Sequence, residues 1–246
     1  MKLTPNTSVI YEPHGKAREY APLAVNLYTG CAHRCSYCYA PSTLHTTKEK
    51  FNVPSARTNI LEKIERDAYK LHSADETGPV LLCFTCDPYQ PIDEQLRLSR
   101  QTIQIFHSQN LNVKILTKGG KRAERDFDLL VNHDLFGVTL TNLDDKLSLE
   151  WEPGAALPAE RIASLVKAHE KGIKTWVSLE PVLYPEVALE IIRRTYKFAD
   201  EFKVGVLNYH PHAKTINWYK FALDVKTLLT DLKCSYYLKS DLRKWL

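Results

Sequence analysis

The 246-residue sequence predicts an α/β protein with six strand–helix units on a parallel sheet, and three observations carry that expectation. From residue 23 onward, short β-rich runs alternate with helix-like segments. No low-complexity tract or visible boundary divides the chain. The length also suits α/β barrels, which form one unit over roughly 250 residues. We therefore read 1–246 as a single domain, with 1–22 an amino-terminal extension and 23–240 the barrel.

Taken in order, strands are expected over AVNLYTG (24–30), VLLCFTCD (80–87), VKILTK (113–118), FGVTLTNL (136–143), TWVSLEPV (175–182) and FKVGVLNY (202–209). The clearest helix is LPAERIASLVKAHEKGIK. Pro158 sits near its first turn, Ile162, Leu165 and Val166 share a face, and Gly172 supplies a left-handed cap before the next strand. INWYKFALDVKTLLTDL repeats the helical pattern near the end, Cys234 is assigned to the core side of this last helix, and SYYLK reads as a short closing strand.

Alternation inside the strands places Thr139 and Thr141 on one face and Val138 and Leu140 on the other. Trp176, Ser178 and Glu180 oppose Val177 and Leu179 in the same way. With helices covering the outside of a barrel or partial barrel, the polar face becomes the lumen, and ligand chemistry sits at the carboxyl ends of the strands. Threonine and serine suit strands in their own right, so the coincidence over several strands carries the inference.

With 44% hydrophobic and 25% charged residues, the composition is that of a globular protein with a sizeable core, which excludes a disordered chain. No run of 18 apolar residues and no signal-like amino terminus occur, so a cytoplasmic protein without membrane association is expected. A net charge of +4 permits a nucleic-acid partner without arguing for one. Six cysteines, three crowded and three scattered, do not look like a disulfide framework; in a reducing compartment they favour metal binding or catalysis.

Cys31, Cys35 and Cys38 form C-x3-C-x2-C within NLYTGCAHRCSYCYAPS, directly after the first expected strand and hence on a loop at the carboxyl end of the sheet. Thiolate sulfur suits zinc, copper(I) or an iron–sulfur cluster. Structural zinc sites and ferredoxin-type clusters use four protein ligands, and here the local supply stops at three. His33 as a fourth ligand would need a cramped chelate between two cysteines. Three thiolates on a four-iron cluster leave one iron open, the counterpart of an open catalytic zinc, so the missing ligand marks a place for substrate or cofactor. The competing reading is a non-catalytic zinc or iron–sulfur protein that binds a partner such as RNA.

These residues carry a family resemblance. Cys31, Cys35, Tyr37 and Cys38, as C-x3-C-x-aromatic-C, resemble the signature of the radical S-adenosylmethionine superfamily. TCDPYQPIDEQLRLSRQTI, ILTKG, the EPG and SLEPV segments and VGVLNYH extend the likeness over most of the chain, to the spore photoproduct lyase-like branch. The resemblance implies a partial (β/α)6 TIM-type barrel with the cluster loop after strand 1, a [4Fe-4S] cluster on Cys31, Cys35 and Cys38, and S-adenosylmethionine on the open iron. It further implies reductive cleavage of that cofactor to methionine and a 5′-deoxyadenosyl radical, a flavodoxin- or ferredoxin-type electron donor, and a substrate that the sequence does not identify. DNA photolesion repair is one alternative, weakened by the little chain left outside the barrel for gripping DNA.

Further candidates follow the strands. Tyr37 lies between two ligands, where the family sets an aromatic ring against adenine; loop packing is the plain alternative. Cys83, Thr85 and Asp87 share strand parity and are expected to face the lumen, opposite Phe84 and Cys86, so the C-x2-C of Cys83 and Cys86 is not read as a metal or redox pair. Asp87, Tyr89 and Gln90 fall at the catalytic rim; Thr85 and Asp87 are candidates for polar parts of the cofactor, although Asp-Pro also opens turns. Cys83 and Tyr89 are the catalytic candidates, Cys83 because the lyase returns a hydrogen atom from a cysteine in this stretch; a small buried hydrophobe is the plain alternative for Cys83.

Lys118 matches the family position that contacts the methionine carboxylate. Thr139, Thr141, Ser178 and Glu180 are candidate ribose or amino-group ligands, with Glu180 the best acceptor. Lys121 and Arg122 are expected on a solvated face, and His210 and His212 as loop residues rather than a metal pair.

Overall fold

The computed structural model describes residues 8–74 and 78–246. Along these residues run strands β1 (Ile10–Tyr11), β2 (Leu23–Val25), β3 (Tyr28–Thr29), β4 (Ser55–Ala56), β5 (Val80–Leu82), β6 (Val113–Thr117), β7 (Leu135–Thr139), β8 (Lys174–Leu179), β9 (Glu201–Val204) and β10 (Tyr236–Leu238). Eight of them form one sheet in the order β1-β2-β5-β6-β7-β8-β9-β10, and β3 pairs with β4 in a separate ribbon. Every pairing from β2 to β10 is parallel, while β1 runs antiparallel against β2. The end strands β1 and β10 do not pair with one another, so the sheet stays open on one side. The six expected strands are present, five of them followed by a covering α-helix and β6 by the 3-10 segment Gly120–Asp126, and the closing strand adds a seventh parallel strand.

The helices Ile60–Ser73, Leu98–Ser108, Pro158–Glu170, Pro185–Thr195 and Trp218–Asp231 cover one face. Pro158 opens its helix, and Gly172 takes φ +76° beyond the end, as expected from their positions. Ile64, Phe106, Leu165, Ile192 and Val225 from these helices join Val138, Leu140, Val177 and Leu179 in one large buried core. On the opposite face Ala24, Leu81 and Trp176 gather with Tyr20 in a second, smaller cluster, so alternation in β7 and β8 separates helix side from lumen as the pattern predicts. The Trp176 indole is fully buried, donates to the Ile115 carbonyl at 3.0 Å, and carries the Lys114 ammonium 4.4 Å from its ring centre.

Three expectations need correction. Each strand ends before its β-rich run does: β2 stops at Val25, β5 at Leu82, β7 at Thr139 and β9 at Val204, and the remaining residues leave the ladder to build the mouth. Parity therefore fails after Leu82, because Cys83 takes φ +61° and turns the chain; its thiol meets that of Cys86 instead of opposing it. Cys234 lies outside the helix, which ends at Asp231 before a left-handed Lys233, and is half-buried in the turn to β10. The amino-terminal extension is part of the architecture. Residues 10–11 join the sheet, and residues 15–20 cross its open side to reach β9 and β10.

Candidate active site

The ribbon of β3 and β4 brackets residues 30–54 and pins the cysteine loop to the carboxyl end of β2. Cys31 donates its N–H to the Phe51 carbonyl at 2.8 Å, and Cys38 to that of Cys35 at 3.1 Å. All three cysteines are free thiols and line one pocket together with Arg34, Ser36, Lys48 and Asn52. Burial pushes the Cys35 thiol up to about 12, against the pull of the nearby Lys118 ammonium. Burial, reinforced by the Asp87 carboxylate, raises Cys31 too. Such thiols become thiolates when a soft metal takes their protons' place, so the donor set fits an iron–sulfur cluster. Among the described residues no three His, Cys, Asp or Glu side chains converge on one metal ion. A four-iron cluster needs no such convergence, since each thiolate takes a different iron.

The DPYQP segment holds this loop from below. Asp87 accepts from the Tyr89 N–H (2.8 Å), the Thr117 hydroxyl (2.7 Å) and the Lys118 N–H (2.7 Å), and lies 3.4 Å from His33 Nδ1. Burial alone would raise its pKa, but His33 and these donors hold it well below the usual carboxylate range. Gln90, fully buried, accepts from the Ala32 N–H at 2.9 Å and donates to the Gly30 carbonyl at 3.3 Å. His33 Nε2 faces Arg122 Nη2 at 3.2 Å, so both ring nitrogens of His33 are engaged within the protein. Arg122 is accordingly half-buried, with Nε on the Tyr89 carbonyl, whereas Lys121 is solvated as expected. Tyr89 and Cys83 both lie in the core, and Thr85 is half-buried with its N–H on Asn26.

A buried charge cluster that sequence reasoning did not single out closes the other side. The Tyr37 hydroxyl donates to Glu152 Oε1, and Glu152 Oε2 pairs with Arg161 Nη1 at 2.6 Å. Arg161 also donates to the Ala156 carbonyl (2.7 Å) and the Thr139 carbonyl (3.1 Å), tying the EPG turn to the end of β7. Burial opposes both charges, yet Arg161 and Lys118 keep Glu152 below its ordinary pKa, while Cys35 and Glu152 keep Lys118 above its own. The Lys118 ammonium lies 5.8 Å from the Tyr37 ring centre. Gly154 N–H donates to the His33 carbonyl at 3.0 Å, and a Cβ at 154 would lie 2.0 Å from the Ala32 carbonyl oxygen, so only glycine permits this approach. The available signal was an acidic residue in WEPG followed by an arginine beside the apolar positions of the next helix.

Thr139 ends β7 in a buried position, and just beyond it the Thr141 hydroxyl and the Asn142 amide nitrogen are buried without hydrogen-bond partners among the described residues. Orphaned polar atoms of this kind suit a bound polar ligand. Ser178 and Glu180 lie across the lumen with the Tyr20 hydroxyl between them, 3.2 Å from Ser178 Oγ and bonded to Glu180. Trp151 extends from Tyr37 towards His210 (5.1 Å between ring centres) and His212 (5.8 Å), forming an aromatic ledge that Tyr184 continues. His210 Nδ1 accepts from the His212 N–H and His212 Nε2 meets the Leu183 carbonyl, so the two histidines serve this ledge.

The pattern describing the radical SAM superfamily matches residues 25–199. The chain belongs to that superfamily. Among curated proteins it is 25% identical over 193 residues to an uncharacterised protein of Methanocaldococcus jannaschii, covering 76% of this chain and 71% of the relative. It is 26% identical over 212 residues to an uncharacterised protein of Mycobacterium tuberculosis, covering 79% of this chain but only 61% of the relative.

Among solved structures, a spore photoproduct lyase variant superposes with a TM-score of 0.72 at 16% identity, over 92% of this chain and 78% of that one. A lyase variant with bound AdoMet and dinucleoside spore photoproduct gives 0.69 at 16% identity, again over 92% and 78%. Streptococcus suis SuiB bound to S-adenosylmethionine gives 0.66 at 14% identity, over 88% of this chain and 50% of that one. These likenesses establish the partial TIM-barrel fold of this radical SAM protein, and the superfamily implies the [4Fe-4S] cluster and S-adenosylmethionine. Among the described residues no helix is long and apolar enough to cross a membrane.

Proposed function

We propose that the protein is a spore photoproduct lyase-like radical enzyme that cleaves S-adenosylmethionine reductively at a [4Fe-4S] cluster held by Cys31, Cys35 and Cys38. The observation that supports this best is the set of three unbridged thiols on one pocket, with the Lys118 ammonium acting on Cys35 and placed over Tyr37. When bound, cluster and cofactor supply methionine and a 5′-deoxyadenosyl radical that abstracts hydrogen from substrate.

The chain's residues divide the remaining work. Lys118 offers its ammonium to a carboxylate. Tyr37, its hydroxyl fixed by Glu152, presents a ring face to adenine. Thr139, Thr141, Ser178 and Glu180 offer oxygens to ribose hydroxyls or an ammonium. Gln90 spends its hydrogen bonds on the cysteine loop and Asp87 spends its own on Tyr89, Thr117 and Lys118, so their role is to shape the site. A hydrogen-atom route through Cys83 or Tyr89 starts from core positions, and Cys83 reaches the mouth by way of its contact with half-buried Cys86. A flavodoxin- or ferredoxin-type protein is the proposed electron donor. A substrate carrying nucleobases is the first class to assay. The aromatic ledge supports it, because stacking on such rings is worth about 1–3 kcal/mol per base.

The test is anaerobic reconstitution with iron and sulfide. Brown protein that cleaves S-adenosylmethionine under dithionite, with cleavage and colour both lost in Cys31→Ala, Cys35→Ala and Cys38→Ala, is expected. Colourless protein holding one zinc and leaving S-adenosylmethionine intact would overturn the proposal.

A further inference from the structure

The open side of the barrel is crossed by the chain's own amino-terminal segment. Val9 and Ile10 N–H groups anchor on Asp67 Oδ2, at 2.6 and 3.3 Å, beside β2. From there the segment reaches the far edge. Lys16 donates to Asn208 at 3.2 Å, and Glu19 Oε1 accepts from the Tyr237 hydroxyl at 3.0 Å and the Ser240 N–H at 2.7 Å. Tyr20 is thereby pushed into the lumen, 7% exposed, with its ring against Phe84 (5.9 Å) and Trp176 (6.0 Å).

A phenylalanine would make those ring contacts equally well, so the hydroxyl calls for its own account. It donates to Glu180 Oε2, and the same oxygen accepts from Lys239 Nζ at 2.8 Å. Lys239 is 4% exposed, its N–H is fixed on the Val204 carbonyl at 2.8 Å, and its ammonium lies 4.4 Å from the Tyr20 ring centre. Two donors on one carboxylate oxygen fix the side-chain torsion. The other oxygen, Oε1, has no hydrogen-bond partner among the described residues. It lies against Gly205, where a Cβ would come within 2.7 Å of Glu180 Cδ and 2.8 Å of Oε1, so the missing side chain makes room for the carboxylate in this position.

We infer that Tyr20 and Lys239 are positioning residues that hold Glu180 by Oε2 and so present Oε1 to an ammonium or hydroxyl donor of bound S-adenosylmethionine. Neither residue belongs to the six strand–helix units, so the flanking segments complete a cofactor contact that the barrel alone leaves loose. This rests on the radical-enzyme reading above.

The test measures S-adenosylmethionine affinity by calorimetry on anaerobically reconstituted protein, with iron content and thermal midpoint recorded for each variant. Tyr20→Phe and Lys239→Met are expected to weaken binding about tenfold at unchanged iron content, as for loss of a hydrogen bond to a charged group. Lys239→Arg should recover most of that loss. Glu180→Gln should weaken binding at least as much as Tyr20→Phe, and the Tyr20→Phe/Glu180→Gln double variant should bind no worse than Glu180→Gln alone. Tyr237→Phe, which loosens the same segment without touching Glu180, should lower the thermal midpoint and leave affinity unchanged. Wild-type affinity in both Tyr20→Phe and Lys239→Met, or independent effects in the double variant, overturns the inference alone. Wild-type protein with a full cluster and no affinity for S-adenosylmethionine overturns the enzyme reading and this inference together.

Discussion

Replacing Glu152 by glutamine tests how the mouth is held together. Arg161 is 1% exposed and its carboxylate partner is Glu152, so the variant leaves a guanidinium buried without its counter-charge and deprives Lys118 of a neighbouring anion. Breaking a buried pair by removing one partner costs about 3–5 kcal/mol. For a domain of this size each kcal/mol moves the thermal midpoint by roughly 2–4 °C, so a drop of roughly 6–20 °C is expected. Urea titration of the cluster-free protein, followed by tryptophan fluorescence, reads the loss directly.

The pH dependence has a defined sign. Glu152 titrates lower in the folded chain than the ordinary value of about 4.3, so its contribution is present above that pH and disappears as pH falls through the folded pKa. Glu152→Gln should therefore show a shallower acid limb. The Glu152→Gln/Arg161→Met double variant, with the stranded charge removed, should recover part of the stability. A single-variant loss below about 1 kcal/mol, the value of a solvent-exposed pair, would refute the reasoning.

Other expectations follow from the same geometry. Gly154→Ala puts a methyl 2.0 Å from the Ala32 carbonyl oxygen; displacing that backbone should cost about 1–3 kcal/mol and lower the iron and sulfide bound per chain, and full cluster content would contradict it. Asp87→Asn keeps one acceptor oxygen for Tyr89 and Thr117 but removes the charge and turns the oxygen that faces the Lys118 N–H and His33 into an amide donor, and should cost about 1.5–3 kcal/mol at neutral pH. Because Asp87 also titrates below its ordinary value of about 3.9, the gap to wild type should close as pH falls below that value. Chelating the iron should leave the far-UV circular dichroism unchanged, since the sheet and the cysteine loop are held by hydrogen bonds independent of metal.

The lumen pattern of β7 and β8 was legible because period-2 alternation survives as long as the ladder does: Val177 and Leu179 pack under the helices while Trp176 turns inward. The same rule misplaces Cys83, which joins the helix-side core, and Phe84, which packs with Tyr20 on the lumen side, because β-rich composition continues past Leu82 although the hydrogen-bonded strand does not. Spacing alone was enough to bring Cys31, Cys35 and Cys38 to one pocket, since residues on one loop are local. Glu152 and Arg161 went unread for the opposite reason. Their pairing depends on the EPG turn docking on the cysteine loop more than a hundred residues away in sequence, and no local pattern signals that a charge will be buried. Tyr20 and Lys239 lie outside the repeating units, where periodicity offers no guide to the face a side chain meets.

The short ribbon of β3 and β4 changes when an entropic cost is met. Bringing distant ligands of a flexible loop together carries a chain-closure penalty that grows only slowly with length, but it must be met at some stage. Here Tyr28 and Thr29 against Ala56 and Ser55 close residues 30–54 during folding. On the proposed reading, capture of a cluster would then have only the local arrangement of three thiols left to organise, separating the ripening of the cluster from the folding of the chain.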